Sequence, residues 1–313
     1  MKVSVSDHLV ECSTPGLRVA VRRRNGSETG VRPPVLFVHG ATYAASLTVD
    51  YPLDGATDSW MASLASAGFD VWCVDLLGYG RSDRPPEMDM PADQHAPLVD
   101  TAQAERDVSL VIDFMLGVTG SNQTSLIGYS WGTAISGGIA AARPDVVDRL
   151  VLYGALWVKV TPSAITAGGP PGAYREVTVE AMLARWVTGL DAAQQTAIGD
   201  LTARQQWAAT VLASDPNPSS KTLRAPAGVV KDVLENWGQG RPTYDPAKIQ
   251  APTLIVVGEW DHETTPEQGR EVFARLEAAA DRRFLLIGRA THSMLLERQA
   301  PVLRAAVEAF LSE

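Results

Sequence analysis

Cysteine is scarce in this chain: two of 313 residues, Cys12 and Cys73. Cys12 lies near the N-terminus and Cys73 sits inside the apolar run Val71 to Val74. Nothing in that spacing suggests a disulfide, so two free, buried thiols are expected. The five histidines form no Cys/His cluster with metal-ligand spacing, so no metal is expected. No Gly-rich phosphate loop follows the first long strand, so no organic cofactor is expected either. Basic charge is in deficit: 27 Lys and Arg against 36 Asp and Glu, a net charge of -9. A nucleic-acid partner is therefore disfavoured, and an anionic substrate would need a local cation. No stretch approaches the ~18 apolar residues of a membrane span. Met1 to Val10 has no apolar signal-peptide core. The expectation is a soluble cytoplasmic protein with no membrane partner.

What the chain does have is 45% hydrophobic residues, ordinary for a sizeable core. Short apolar runs recur at Val35 to Val38, Val71 to Val74, Ser125 to Ile127, Leu150 to Leu152, Thr253 to Val257 and Phe284 to Ile287. Continuous runs of this length suit a parallel sheet covered on both faces. Helical patterns lie between them at Asp58 to Ala67, Thr101 to Leu116, Trp131 to Ala142, Pro266 to Ala279 and Met294 to Leu311. The alternation predicts an α/β fold with a mostly parallel, doubly wound sheet. Segments near Leu9 to Cys12 and Arg18 to Arg23 read as antiparallel edge strands. The alternation stops after Tyr153 and resumes at Thr253. Between them, helical stretches at Val179 to Thr188, Asp191 to Leu212 and Val229 to Trp237 are separated by turn-rich linkers. The organisation expected is a core over residues 1–154, a helical cap over 155–245, and the rest of the core over 246–313.

Gly128-Tyr129-Ser130-Trp131-Gly132 follows an apolar strand and precedes a small-residue helix. Strand, sharp turn and helix with serine at the apex is the context of a nucleophile elbow. The two glycines remove side chains where strand and helix close tightly. A serine hydroxyl is a weak nucleophile until a base takes its proton. On sheets with such an elbow the base comes last and the acid precedes it. His292 stands after the last strand, at the carboxyl edge where parallel sheets present their sites. His39, after the first long strand, reads as a residue that holds its own loop. Asp261, just after Thr253 to Val257, is the acid of choice, with Glu259 and Glu263 as competitors. The backbone N–H groups of Trp131 and Ala41 would stabilise an oxyanion.

These pieces together resemble the α/β-hydrolase superfamily: His39-Gly40, the loop Asp75 to Ser82, the elbow, Asp261 and His292. The resemblance implies a serine hydrolase acting on carboxylic esters through an acyl-enzyme, with a small-molecule ester as its partner. Trp131 after the serine is similar to proline iminopeptidases, but those carry H-G-G-P-G where this chain has His39-Gly40-Ala41-Thr42-Tyr43. An amidase or peptidase is the alternative, and a non-catalytic receptor on the same fold is another. Overall length, triad spacing and the excursion Tyr43 to Asp58 are similar to bacterial monoalkyl phthalate hydrolases. Thr42, Tyr43, Tyr129, Trp157, Trp186, Trp207 and Trp237 are candidate substrate contacts. A substrate carboxylate would need a cation, drawn from Arg81, Lys159, Arg175, Arg185, Arg204 and Arg224.

Overall fold

A computed structural model describes residues 3–26, 32–52, 59–159, 163–166, 169–217 and 220–313. The first two strands, β1 (Ser4–Glu11) and β2 (Arg18–Asn25), form an antiparallel hairpin. The next four are β3 (Val35–Val38), β4 (Asp70–Asp75), β5 (Thr124–Tyr129) and β6 (Val147–Tyr153). After the insertion come β9 (Thr253–Gly258) and β10 (Arg282–Ile287). One eight-stranded sheet runs in the order β1-β2-β4-β3-β5-β6-β9-β10. Its pairs are parallel from β4 to β10. The hairpin and its junction with β4 are antiparallel.

Period-2 alternation sends successive strand residues to opposite faces. Leu36, Val38, Trp72, Val74 and Leu126 face one core, against α2 (Thr101–Thr119) and α3 (Trp131–Ala142). Val35, Phe37, Val71, Cys73 and Ile127 face the other, against α1 (Trp60–Ser66) and α9 (Ala300–Leu311). Helix starts follow side-chain caps: Ser59 for α1, Asp100 for α2, and Thr265 with Gln268 for α8 (Pro266–Arg275). Both cysteines are free and buried.

Two helical expectations break up. Met294 to Leu311 becomes a short 3₁₀ turn at Met294–Leu296 and then α9. Pro301 is the reason, because proline fits only the first turn of a helix. Asp191 to Leu212 divides at Gly199 into α5 (Ala192–Ile198) and α6 (Leu201–Ala213), with Asp200 capping the second. The helix expected from Asp58 starts at Trp60, and Asp58 itself lies outside the described residues.

The segment between β6 and β9 is not wholly helical. Besides α4 (Val179–Trp186), α5, α6 and α7 (Gly228–Glu235), it holds an antiparallel pair, β7 (Tyr174–Val177) with β8 (Leu223–Pro226). Met182, Trp186, Ile198, Trp207, Ala208, Val211 and Leu223 form its own apolar cluster. Tyr43, Leu47 and Tyr51 of the core pack against that cluster.

Phe37 in central β3 is 1% exposed and meets Trp60 edge-on, with ring centroids 4.9 Å apart. Phe37→Ala is expected to cost about 3–5 kcal/mol through lost burial and the cavity left behind. A urea unfolding curve measures this; an unmoved midpoint would contradict the packing described.

Candidate active site

The sheet order places the site. β3 lies between β4 and β5, so the connections leave in opposite directions and open a crevice at the strand ends. Val38 of β3 is in register with Gly128 of β5. Two residues further on, Gly40 and Ser130 are therefore neighbours. A Cβ on Gly40 would stand 2.8 Å from the Ser130 Cβ. Ser130 has φ 54° and ψ −118°, a left-side conformation that non-glycine residues seldom adopt. The flanking glycines allow it: a Cβ on Gly128 would lie 2.4 Å from the Gly132 carbonyl oxygen, and one on Gly132 2.1 Å from that of Val38.

The strands on the other side deliver the remaining groups. Asp261 follows β9 and His292 follows β10, two adjacent parallel strands. His292 Nε2 is 2.8 Å from Ser130 Oγ, and its Nδ1 is 2.8 Å from Asp261 Oδ2. Asp261 Oδ1 accepts the backbone N–H groups of Glu263 (2.9 Å) and Thr264 (2.8 Å). The Thr264 hydroxyl donates to Oδ2 at 2.9 Å and lies 3.1 Å from His292 Nδ1. The carboxylate is thus satisfied and fixed, and it orients the ring so that Nε2 faces the serine. Glu259, the competing acid, is exposed and instead accepts the Arg289 N–H.

The loop after β3 is braced from below. His39 is fully buried. Its Nε2 accepts the Leu76 N–H at 3.0 Å, which leaves Nδ1 to donate to the Gly40 carbonyl at 2.7 Å. Burial lowers its pKa, consistent with a neutral ring. Asp75 supports the same loop by accepting the Ser46 and Arg81 N–H groups. Thr42 holds a positive φ of 82°. The Ala41 N–H has no hydrogen-bond partner among the described residues. Trp131, as the first residue of α3, has no carbonyl one turn back.

Tyr43, Tyr129, Trp186 and Trp207 line the space over Ser130 with Ala41 and His292. Lys159 lines a second chamber beside the serine, with Leu156 and Thr264. Each chamber has a volume of about 20 Å³, room for a water but not for an ester. Three expected contacts lie elsewhere and are corrected. Trp157 turns its indole N–H to the Tyr244 carbonyl, under Arg275. Trp237 is fully buried and bonds Thr243. Arg81 pairs with Asp7 at 3.0 Å, drawn to the hairpin by that carboxylate.

Glu263 and Thr264 have roles that the sequence reading did not give them. Thr264 stands three residues after Asp261, the spacing of a side-chain turn, and that spacing is the signal that could have found it. Glu263 accepts Arg185 Nε at 3.0 Å, and its carbonyl and carboxylate both face the Lys159 ammonium. Burial opposes ionisation of Glu263, but Arg185, His292 and Lys159 outweigh it and hold the pKa down at about 2.

Residues 32–299 match the family model described as serine aminopeptidase, S33. The chain is an α/β-hydrolase of this family. It is 31% identical over 140 residues to human lysosomal acid lipase/cholesteryl ester hydrolase, a match covering 44% of this chain and 34% of that protein. It is 28% identical over 152 residues to human gastric triacylglycerol lipase, covering 47% and 37% respectively. The chain thus spans about a third of the length of the curated relatives it matches. Among solved structures, an esterase from Thermogutta terrifontis superposes with a TM-score of 0.67 at 19% identity, covering 98% of both chains. A serine hydrolase involved in carbazole degradation gives 0.65 at 19% identity over 99% of both. These likenesses are of fold. Among the described residues no helix is long and apolar enough to cross a membrane.

The Glu263 pairing has a pH consequence. A carboxyl held below its unfolded value stabilises the fold above that value and loses the contribution as pH falls through the folded pKa. Here the window runs from about 4.5 down to about 2. Acid unfolding curves should therefore show a Glu263-dependent loss in that range, absent in Glu263→Gln. Parallel curves for the two proteins from pH 5 to 2 would contradict the pairing.

Proposed function

We propose that this α/β-hydrolase cleaves carboxylic esters through an acyl-enzyme, with Ser130 as nucleophile, His292 as base and Asp261 as its orienting acid. The observation that carries the reading is the unbroken chain of 2.8 Å contacts from Ser130 Oγ through the ring to Asp261. Ser130 Oγ attacks the ester carbonyl carbon while its proton passes to His292 Nε2. Asp261 stabilises the imidazolium. The oxyanion is received by the N–H groups of Ala41 and Trp131. Collapse of the tetrahedral intermediate breaks the carbon–oxygen bond, and the alcohol leaves with the proton from Nε2. Water then attacks the acyl-enzyme by the same route and frees the acid and the serine.

The insertion over residues 155–245 acts as a cap in this reading. Trp186 and Trp207 come from α4 and α6, and they narrow the chamber over Ser130. Ester entry requires those side chains, or the cap, to move. The substrate class is a monoester of an aromatic dicarboxylic acid, of the monoalkyl phthalate type. Cations beside the serine support this, since such a substrate keeps one free carboxylate. The same cations speak against an aminopeptidase. A substrate α-ammonium would need an anionic partner, and Glu263 is already engaged by Arg185 and Lys159.

Ser130→Ala should lower kcat on p-nitrophenyl acetate by about 10⁴-fold or more while leaving the melting temperature near that of the parent. Fluorophosphonate should label the parent at Ser130 and not the variant. Near-normal turnover by the variant would rule out the mechanism, and labelling without turnover would favour a receptor.

A further inference from the structure

The charges around Ser130 do not balance. Lys159 and Arg185 line the chambers beside it, Arg175 stands next to Arg185 on the Thr42 hydroxyl, and Asp261 is committed to His292. Glu263 is shared between Arg185, at 3.0 Å, and Lys159, at 3.8 Å. Arg175 pairs with no carboxylate among the described residues. Its Nε is shielded from solvent and has no hydrogen-bond partner. Its Nη2 donates to the Thr42 hydroxyl, which Arg185 Nη1 also approaches, at 3.4 Å. Desolvation pulls the Arg175 pKa down to about 10, so the group is still charged at neutral pH. A shielded guanidinium without a counter-ion is costly.

Its position gives that charge a use. Arg175 and Arg185 line a cleft of about 490 Å³ between cap and core, with Ile165, Ala181 and Val230. Arg185 also lines both chambers beside Ser130. Arg185 stands where the outer cleft meets the serine chambers, and Arg175 beside it reaches the same Thr42 hydroxyl from the cleft. Thr42, which both approach, directly follows Ala41 in the oxyanion loop. The acidic residues on the cleft, Glu176 and Asp93, are exposed and screened by water. The other candidate cations are placed elsewhere. Arg81 pairs with Asp7, and Arg224 with Asp215 and Asp89. Arg204 lines a separate cavity with Asp200 and Glu297.

We propose that Arg175, assisted by Arg185, binds a free carboxylate on the acyl half of the ester, so that the enzyme selects monoesters of dicarboxylic acids over neutral esters. This rests on the ester-hydrolase reading and assigns the specificity of that site. A planar guanidinium whose Nε–H lacks a hydrogen-bond partner suits a carboxylate. Because Thr42 is bonded to Arg175 and adjoins Ala41, the bound carboxylate and the scissile carbonyl are close together. That spacing suits a compact diacid with both groups on neighbouring carbons. Lys159 is not the anchor, since Glu263 holds its ammonium.

The test is the ratio of kcat/KM for monobutyl phthalate to that for p-nitrophenyl acetate. In Arg175→Met the ratio should fall about 100-fold from the parent value, with Arg175→Lys falling between the two. An unchanged ratio overturns the proposal. If Arg175→Met does not fold, inhibition of the parent decides. Phthalate should compete with the neutral ester at least about tenfold better than phthalamide, and added salt should weaken it. Equal inhibition by the two overturns the proposal. Failure of the parent to turn over p-nitrophenyl acetate, with no fluorophosphonate labelling, sinks the ester reading instead. Calorimetric titration of phthalate into the parent and Arg175→Met then still decides the anion site: tighter binding to the parent supports it, and equal affinity overturns it.

Discussion

The backbone of Ser130 is the constraint on which the site depends. A residue held at φ 54° and ψ −118° costs on the order of 1–3 kcal/mol and persists only where the surroundings over-determine it. Here they do. The Ser130 N–H is tied to the Tyr153 carbonyl at 2.9 Å, and the Thr133 hydroxyl and N–H bind the Ser130 carbonyl. Three glycines clear the space around it, and each would otherwise place a carbon within 2.8 Å of a neighbour. Two of those neighbours are backbone carbonyls in the elbow and in β3, which cannot rotate away. The elbow is thus built into the sheet rather than into a loop, and the serine hydroxyl inherits the rigidity of the three parallel strands that hold it, β3, β5 and β6.

That rigidity makes the charges in the site effective. Fixed groups in a shielded volume interact more strongly than the same groups in water. Glu263 shows it: burial alone would raise its pKa, yet its neighbours, Arg185 foremost, hold it down to about 2. Placed among the cations, Glu263 neutralises enough charge to let Lys159 and Arg185 remain beside the serine. It forms no ion pair with Arg175, although its charge is felt there. The result is a site where one of the three cations, Arg175, has no carboxylate partner among the described residues, on a chain whose net charge is -9. Overall charge therefore says little about the substrate, because the field at the serine is set by groups within a few ångströms.

Most of the core was legible because its signals are local. The six apolar runs, the G-x-S-x-G elbow and the residues after the last two strands are contiguous in sequence, and each marks an element within a few residues. The brace of His39 on its own loop was legible for the same reason. What escaped was non-local. β7 and β8 are four residues each and 45 residues apart, with a proline in one. No period-2 pattern survives at that length. Tryptophan as a residue type did not reveal position either. Trp186 and Trp207 reach the chamber over Ser130, whereas Trp157 and Trp237 fill space elsewhere. Which arginine lacks a counter-ion is likewise a property of the packed molecule, since every arginine has an acidic residue somewhere near it in sequence.

Helix α4 and the loop that carries His292 share one carboxyl group. Glu297 follows the 3₁₀ turn after His292 and is 5% exposed. Its Oε2 accepts the Thr291 N–H at 2.9 Å, and its Oε1 accepts both the Thr291 hydroxyl and, at 2.8 Å, the Trp186 indole N–H. Thr291 is the residue before His292, and Trp186, at the end of α4, lines the chamber over the serine. A ligand that displaces Trp186 breaks a hydrogen bond to the same group that steadies the histidine loop. Without that bond Glu297 keeps its two bonds to Thr291 and the nearby charge of Arg204, but loses its tie to α4. The position of Trp186 over the serine and the aim of the imidazole are thus coupled through one carboxyl group.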